Sequence, residues 1–246
     1  MRTVFWEHGQ LKMIDQRILP GRFEVVSYSD HKSVAKAITD MVVRGAPAIG
    51  AAAAFGLALA GFESASASSR ELIADLQAAA STLKAARPTA VNLAWAVDRI
   101  LSSLSQRERA GGEGDLESIR HFILSEAQRI ADEDVEINKR MAEHGAALID
   151  DGDTIIHHCN TGALATVDWG TALGVIRTAH EQGKRIHVLV DEDGDEHNQH
   201  PEKSEKQVVC REAKQERYKP EQWMHTHGNS GDGKSQIITR GRRYLK

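Results

Sequence analysis

The fold of this 246-residue chain depends most on one stretch of its sequence, MVVRGAPAIGAAAA, which occupies residues 41–54. An apolar run meets Arg44 and Gly45, the chain turns at Pro47, and small residues follow that predict a tightly packed helix. Pro47 favours the first turn of that helix, whose free backbone N–H groups can bind an anion. The helix is expected to end near Gly61. Such a stretch is too short to span a bilayer and is typical of a buried core helix.

Arg44 is the unusual residue of this stretch, because a guanidinium between an apolar run and an alanine-rich helix needs an anionic partner. The arginine fork, the close backbone approach that Gly45 allows and the helix start together describe a pocket for phosphate. A carboxylate from another element is an equally good partner. The residues alone leave both interpretations open.

The composition argues against several classes of protein. A net charge of −4 gives no electrostatic reason to bind nucleic acid or an acidic membrane. The two cysteines, Cys159 and Cys210, lie in different sequence surroundings, which fits a reducing compartment rather than a disulfide framework. The first residues carry charges and lack the apolar segment of a signal peptide. We therefore expect a soluble cytoplasmic protein that binds neither nucleic acid nor membrane.

The first half of the chain predicts short strands and then helices. Loose alternation of apolar residues over 3–28 indicates strands and a turn. Ser29 or Asp30 is placed to cap a helix that leads into the Arg44 region. Two further amphipathic helices are predicted over 70–86 and 90–104.

The second half begins with a different pattern. Residues 154–158 read as a buried strand, 171–182 as a helix and 185–190 as a second strand, which together predict a βαβ unit of a parallel, doubly wound sheet. The sequence contains no Gly-x-Gly-x-x-Gly motif, so a dinucleotide is not indicated. A parallel sheet needs more strands than two, and the sequence after Asp191 does not predict them.

We divide the chain into four parts on these patterns. Residues 1–115 form an N-terminal substrate-binding domain that ends in a glycine-rich connector, and 116–150 form a connecting helix of roughly 33 residues, well above the usual helix length of about 11–12. Residues 151–191 form the first βαβ unit of a Rossmann-like domain. Residues 192–246 are polar and highly charged, as in a disordered tail.

Cys159 is a candidate catalytic residue because it follows the first predicted strand of the parallel sheet. Open α/β folds bind ligands at that carboxyl edge. The backbone amides of Asn160–Ala163 are placed to face an anion, and a thiol there can act as acid, base or nucleophile. The alternative is a small buried hydrophobic residue, the usual fate of a free cysteine.

Arg87 repeats the pattern of Arg44, since it stands immediately before Pro88 at the start of a helix. It is either a second ligand for anionic oxygens or a surface residue at a helix end. His157 and His158 are adjacent on a predicted strand, so their side chains point to opposite faces and at most one can face a pocket.

Three motifs resemble those of the S-methyl-5-thioribose-1-phosphate isomerases of methionine salvage. They are VRGAPAIG at 43–50, ARPTAVNL at 86–93 and HCNTGALA at 158–165, and the match covers about residues 3–192. The order and length of the motifs make the resemblance highly specific. The same superfamily contains regulatory subunits of a translation initiation factor and ribose-1,5-bisphosphate isomerases.

The resemblance implies an aldose–ketose isomerisation of methylthioribose 1-phosphate to methylthioribulose 1-phosphate, without a metal or an organic cofactor. It assigns Arg44, Gly45, Ala46 and Arg87 to the substrate, chiefly to its phosphate, and Cys159 to the transition state for ring opening and proton movement. It also implies an α/β protein, usually a homodimer, with a small α-rich N-terminal domain and then a Rossmann-like sheet, which is incomplete here.

After Asp191 the sequence departs from that family, as a frameshift, an alternative splice or a mis-called gene would produce. Family members continue through a Gln-Gly-Ala-Arg-Leu-Thr segment, a Gly-Ala-Asp-Arg motif with the catalytic aspartate and an Asn-Lys pair, none of which follows Asp191 here. General acid–base catalysis contributes about 10²–10⁴ in rate, so we expect this chain alone to be a poor catalyst. A non-catalytic binding module and a ribose-1,5-bisphosphate isomerase relative are the alternatives.

Overall fold

The computed structural model describes residues 1–109, 115–191 and 206–208. Most of the predicted connector at 111–115 and most of the predicted tail at 192–246 lie outside these residues. The described helices are α1 His31–Thr39, α2 Ala46–Glu63, α3 Ser69–Ala86, α4 Val91–Arg109, α5 Leu116–Ala146 and α6 Ala172–Glu181. The strands are β1 Val4–Glu7, β2 Gln10–Ile14, β3 Val25–Tyr28, β4 Thr154–His158, β5 His187–Asp191 and β6 Lys206–Val208.

The N-terminal strands form a small antiparallel sheet in the order β1-β2-β3. Val4 lies opposite Met13, and both side chains are fully buried, as is Leu11 on the central strand. One face of the sheet therefore covers the helical core, in agreement with the alternation seen in the sequence.

Helix α2 is the centre of the larger hydrophobic core and packs against α1, α3, α4 and α5. By length and composition it is the one described helix that could cross a membrane, but 78% of it is buried within the protein. Its small residues allow neighbours to approach: a Cβ atom at Gly56 would lie 3.0 Å from the side chains of Leu83 and Val34. The prediction of a buried core helix is confirmed, with its end at Glu63 rather than near Gly61.

Helix α5 is 31 residues long and contributes to both hydrophobic clusters. Ile123 and Ala127 are fully buried in the larger cluster around α2. Ala146, at the other end of the helix, belongs to the smaller cluster with Ile176 and Val188. Helix α5 thus packs into both hydrophobic clusters of the described chain.

The second half forms the predicted βαβ unit. β4 and β5 pair in parallel, with Thr154 opposite His187, and α6 connects them. The third strand, β6, pairs antiparallel with β5, which corrects the expectation that no strand follows Asp191. The described chain is therefore a mixed α/β fold, rich in helix, with short strands and a parallel pair.

Candidate functional site

Gly45 connects the start of α2 to the loop that follows Cys159. Its backbone φ is 86°, in the left-handed region that favours glycine, and no side chain caps the helix that begins at Ala46. A Cβ atom at Gly45 would lie 2.6 Å from the carbonyl carbon of Ala165 and closer still to its oxygen. This position therefore requires glycine both for its conformation and for its packing, and no side chain of the described residues caps the first-turn N–H groups of α2.

A second close contact lies one turn further along α2. A Cβ atom at Gly50 would lie 3.0 Å from the carbonyl oxygen of Asn92 and 3.4 Å from its Cβ atom. Asn92 belongs to the ARPTAVNL motif, and Ala165 ends the HCNTGALA motif. The structure thus brings segments of all three motifs to the first turns of one helix.

Two buried polar side chains fasten the loop of the third motif to the N-terminal part of the chain. The Thr3 hydroxyl donates to the carbonyl of Ala163 at 2.7 Å, and the Gln16 side-chain amide donates to the carbonyl of Leu164 at 2.8 Å. Thr3 is 1% exposed and Gln16 is 7% exposed. Sequence analysis missed both, because a single polar residue beside an apolar run gives no signal of a partner about 150 positions away.

Asp134 of α5 makes a third hydrogen bond to the same loop. Its carboxylate accepts the backbone N–H of Val167 at 2.8 Å. Burial raises the pKa of Asp134, and the negative charge of Asp168 raises it further, against the hydrogen bonds from Val167 and Asn138. Asn138 is itself buried and donates to the Asp168 carbonyl at 3.4 Å. The loop position is therefore fixed by polar groups just before β1, on α5 and in the segment after β2.

Arg44 is exposed, which corrects the expectation of a guanidinium enclosed by apolar residues. Within the described part of the chain it has no hydrogen-bond or ion-pair partner, so the carboxylate partner considered above is not found there. By contrast, Arg17 makes two hydrogen bonds to Asp15, and Arg99 makes two to Glu133. The guanidinium of Arg44 is thus open to an external anion.

Arg87 lies directly after α3, where its carbonyl accepts the N–H of Ala90 at 3.0 Å. The residue is half-buried, and its guanidinium also has no partner among residues 1–109, 115–191 and 206–208. It precedes the start of α4, at Val91, by four positions. Arg87 is therefore near the start of α4, where Asn92 packs against Gly50 of α2.

Cys159 follows β4 immediately, as predicted, and is exposed. The alternative of a small buried hydrophobic residue is therefore wrong. Its φ is 66°, an uncommon value for a residue other than glycine. In the turn that follows, the Asn160 side chain accepts the N–H of Gly162 at 3.3 Å. The thiol is thus presented to solvent by a defined turn at the carboxyl end of the parallel strands.

The two histidines before Cys159 point to opposite faces of β4, as predicted, but both line the cavity beside β4 and α6, so the expectation that at most one can face a pocket is wrong. His157 is buried and His158 is exposed. Burial lowers the pKa of His157, and the neighbouring His158 lowers it further. Both effects favour the neutral imidazole of His157.

The contacts join the three segments through backbone atoms, and the side chains of Arg44, Arg87 and Cys159 do not hydrogen-bond to one another. None of the three lines the cavity of about 210 Å³ beside β4 and α6. That cavity is mostly aliphatic, lined by Ile149, Ile155, Ile156, His157, His158, Ala172, Val175 and Ile176. Among the described side chains, no group of three or more His, Cys, Asp or Glu residues could hold a metal ion.

Comparison with known proteins identifies the family. The model of the initiation factor 2 subunit family matches residues 42–216, well over half of the chain. The chain belongs to the initiation factor 2 subunit family. This match covers α2, the three motifs and the βαβ unit, and it confirms the resemblance read from the motifs.

Relatives in the initiation factor 2 subunit family include enzymes. The methylthioribose-1-phosphate isomerase of a Synechococcus strain is 53% identical over 191 residues, which are 78% of this chain and 53% of that protein. The isomerase of Thermosipho africanus is 49% identical over 190 residues, 77% of this chain and 53% of that protein. The chain thus spans about half the length of the curated relatives it matches.

Solved structures of this family show the same fold. The 5-methylthioribose 1-phosphate isomerase of Pyrococcus horikoshii is 45% identical, with a TM-score of 0.69 over 74% of this chain and 50% of that one. The translation initiation factor eIF-2B subunit delta of A. fulgidus is 47% identical, with a TM-score of 0.69 over 77% of this chain and 54% of that one. Two structures of similar identity to this chain are therefore named differently, one as an isomerase and one as an initiation factor subunit.

Proposed function

We propose that this chain contains the sugar-phosphate-binding part and the thiol of an aldose–ketose isomerase, which converts 5-methylthioribose 1-phosphate to 5-methylthioribulose 1-phosphate. The proposal depends on the contacts that bring segments of the three motifs to the start of α2. Arg44 lies beside them, and its guanidinium has no partner in the described chain. The similarity to isomerases over about 190 residues supports the substrate and the place in methionine salvage.

The phosphate is proposed to lie at the start of α2. Arg44 supplies a planar fork for two phosphate oxygens, and Arg87 supplies a second positive charge. Gly45 and Ala46 contribute the backbone at the helix start, where free N–H groups and the helix dipole favour an anion. Exposure of Arg44 fits this role, because the group must exchange water for substrate at each turnover.

Cys159 is proposed to act on the sugar. The isomerisation opens the ring and moves a hydrogen between neighbouring carbons, so it needs proton donors and acceptors at the sugar carbons. An exposed thiol at the carboxyl edge of the sheet is suited to one of these tasks. In the isomerase family that the motifs resemble, the second catalytic group beside the cysteine is the aspartate of a Gly-Ala-Asp-Arg motif. That motif does not follow Asp191 in this sequence. Turnover by the 246-residue chain alone is therefore proposed to be slow.

A second candidate is a binding module that works through protein contacts. The 47% identity to the eIF-2B subunit delta structure of A. fulgidus is the observation that favours it. A pure binding module has no need for a sugar-phosphate site, so substrate binding separates the two. A preference for ribose 1,5-bisphosphate over methylthioribose 1-phosphate would instead indicate a relative of the ribose-1,5-bisphosphate isomerases.

A homodimer is also proposed, and sedimentation equilibrium tests it.

The test of function is conversion of 5-methylthioribose 1-phosphate by the purified chain, compared with its Cys159→Ala variant and with the full-length Synechococcus isomerase. We expect turnover at least about 10²-fold below that of the full-length enzyme, and none in Cys159→Ala. Turnover that survives in Cys159→Ala contradicts the role of the thiol. Turnover equal to the full-length enzyme contradicts the proposed impairment.

A further inference from the structure

A hydrogen bond closes the turn that carries Cys159. Nε2 of His157, in β4, lies 2.6 Å from Oγ1 of Thr161. The two residues are four positions apart, so the bond spans Cys159 and joins the end of the strand to the far side of the turn. The strand side is fixed independently, because His158 pairs with Asp191 of β5.

Thr161 connects this turn to the start of α6. Its Oγ1 accepts the backbone N–H of Leu173 at 3.0 Å, and its carbonyl accepts the N–H of Thr171 at 2.8 Å. Because Oγ1 already accepts from Leu173, its single hydroxyl proton is available to His157. The bond forms with either tautomer: Nε2 accepts the Thr161 hydroxyl proton, or a protonated Nε2 donates to the second lone pair of Oγ1.

The burial of His157 is not explained by packing alone. The residue is 7% exposed, and its Nδ1 has no hydrogen-bond partner in the part of the chain that the structure describes. A buried polar atom without a partner is unfavourable, and an aliphatic residue in this strand position would avoid it. The contact that a histidine makes and an aliphatic residue cannot make is the hydrogen bond to Thr161.

The conformation of Cys159 needs such support. A φ of 66° places it in the left-handed region, which a cysteine adopts only when the surrounding structure imposes it. The ladder of β4 fixes the residues before it, and Thr161 fixes the residues after it. Without the link between His157 and Thr161, the turn can relax toward a commoner conformation and redirect the thiol.

We propose that His157 is a positioning residue, which acts through Thr161 to hold Cys159 in its left-handed conformation and to direct its thiol. The proposal deepens the proposed function, since it concerns the residue assigned to the chemistry. Its central consequence, the environment of the Cys159 thiol, can nevertheless be measured without any turnover.

The test is a double-mutant cycle on the full chain, read out as the rate constant for alkylation of Cys159 by iodoacetamide. Peptide mass spectrometry follows Cys159, with Cys210 in the same digests as the reference. His157→Leu should change the rate constant by about threefold or more, and Thr161→Val by at least that factor, because it also removes the acceptor of the Leu173 N–H. The double variant should change it by no more than Thr161→Val alone.

Conservative variants and a control sharpen the test. Thr161→Ser keeps the hydroxyl, and His157→Gln keeps an amide at the position of Nε2, so both should restore the parent rate. His187→Gln, at the far end of the same sheet, makes a similar exchange away from the turn and should have no effect. If His157→Leu does not fold, as judged by thermal unfolding, the pair Thr161→Val and Thr161→Ser carries the test.

Parent-like alkylation in both His157→Leu and Thr161→Val, or factors that multiply in the double variant, overturns the proposal. Where turnover is measurable, kcat should fall while KM stays within about twofold, because the phosphate ligands are untouched. The parent protein and all variants could fail to convert the sugar phosphate while the alkylation rates change as expected. In that case the proposed function fails and the positioning role of His157 stands.

Discussion

Gly45 packs directly on the backbone of Ala165, and this contact joins the core helix α2 to the loop after Cys159. The two residues are 120 positions apart. The contact exists because Gly45 has no side chain and adopts a left-handed conformation that glycine tolerates. The geometry of the proposed site and the packing of the core therefore depend on the same residue.

Gly45→Ala should be strongly destabilising. The backbone conformation of Gly45, with φ 86° and ψ 136°, costs an alanine about 1–3 kcal/mol, and overpacking against Ala165 costs about 1–3 kcal/mol more. Gly9→Ala is the matched control, since Gly9 has a φ of 75° but nothing within 4 Å of an added Cβ atom. Urea unfolding of both variants measures the difference. Equal losses in the two variants would show that the Ala165 contact contributes nothing.

Gln16→Leu should loosen the loop of the third motif. The change leaves the carbonyl of half-buried Leu164 without the Gln16 amide as its donor, at a cost of about 1–3 kcal/mol in the free energy of unfolding. Gln77→Leu makes the same exchange on the exposed side of α3 and should stay within about 0.5 kcal/mol of the parent. Chemical denaturation compares the two variants. A Gln16→Leu protein as stable as Gln77→Leu would contradict the stabilising role of the hydrogen bond from Gln16 to Leu164.

Asp134→Asn should change how stability depends on pH. The pKa of Asp134 is raised in the folded protein, so folding favours its protonated form. Its stability contribution is fully present below the unfolded pKa of about 3.9 and is lost as the pH rises through the folded pKa. The parent should therefore gain stability relative to Asp134→Asn as the pH falls from 7 toward 4. Denaturation at several pH values measures this difference, and a constant or opposite trend contradicts the burial of an ionisable carboxyl.

Much of the fold follows from local sequence patterns. Asp30 caps α1 by accepting the N–H of Ser33 at 2.7 Å, as its position before an amphipathic stretch predicts. The small residues after Pro47 form the buried helix, and strand and helix periods locate the βαβ unit. These elements were predictable because each depends on residues within about twenty positions of one another.

The arrangement of the candidate site was only partly predictable. The motifs identify Arg44, Arg87 and Cys159 as candidates, but not the backbone contacts that bring their segments together, nor the exposure of Arg44. The supports contributed by Gln16 and Asp134 are single polar residues, and their partners lie far away in the chain. Local periodicity carries no information on such pairs, and a strand such as β6 among charged residues gives no alternating signal.

Arg44→Lys should separate the effect of geometry from that of charge. A lysine keeps the positive charge at the start of α2 but loses the planar fork that binds two oxygens at once. We expect affinity for the sugar phosphate to fall by about tenfold, which corresponds to about 1.4 kcal/mol. Isothermal titration at constant ionic strength measures it. Unchanged affinity would mean that the site uses only the charge of Arg44.

The central claim is that a sugar phosphate binds at the start of α2. Titration of 5-methylthioribose 1-phosphate into the parent, Arg44→Ala and Arg22→Ala proteins tests it most directly, since Arg22 pairs with Glu24 and serves as the control. The proposal predicts saturable binding to the parent, no change in Arg22→Ala and a loss of about tenfold or more in Arg44→Ala. No binding to the parent, or equal affinity in all three proteins, would contradict it.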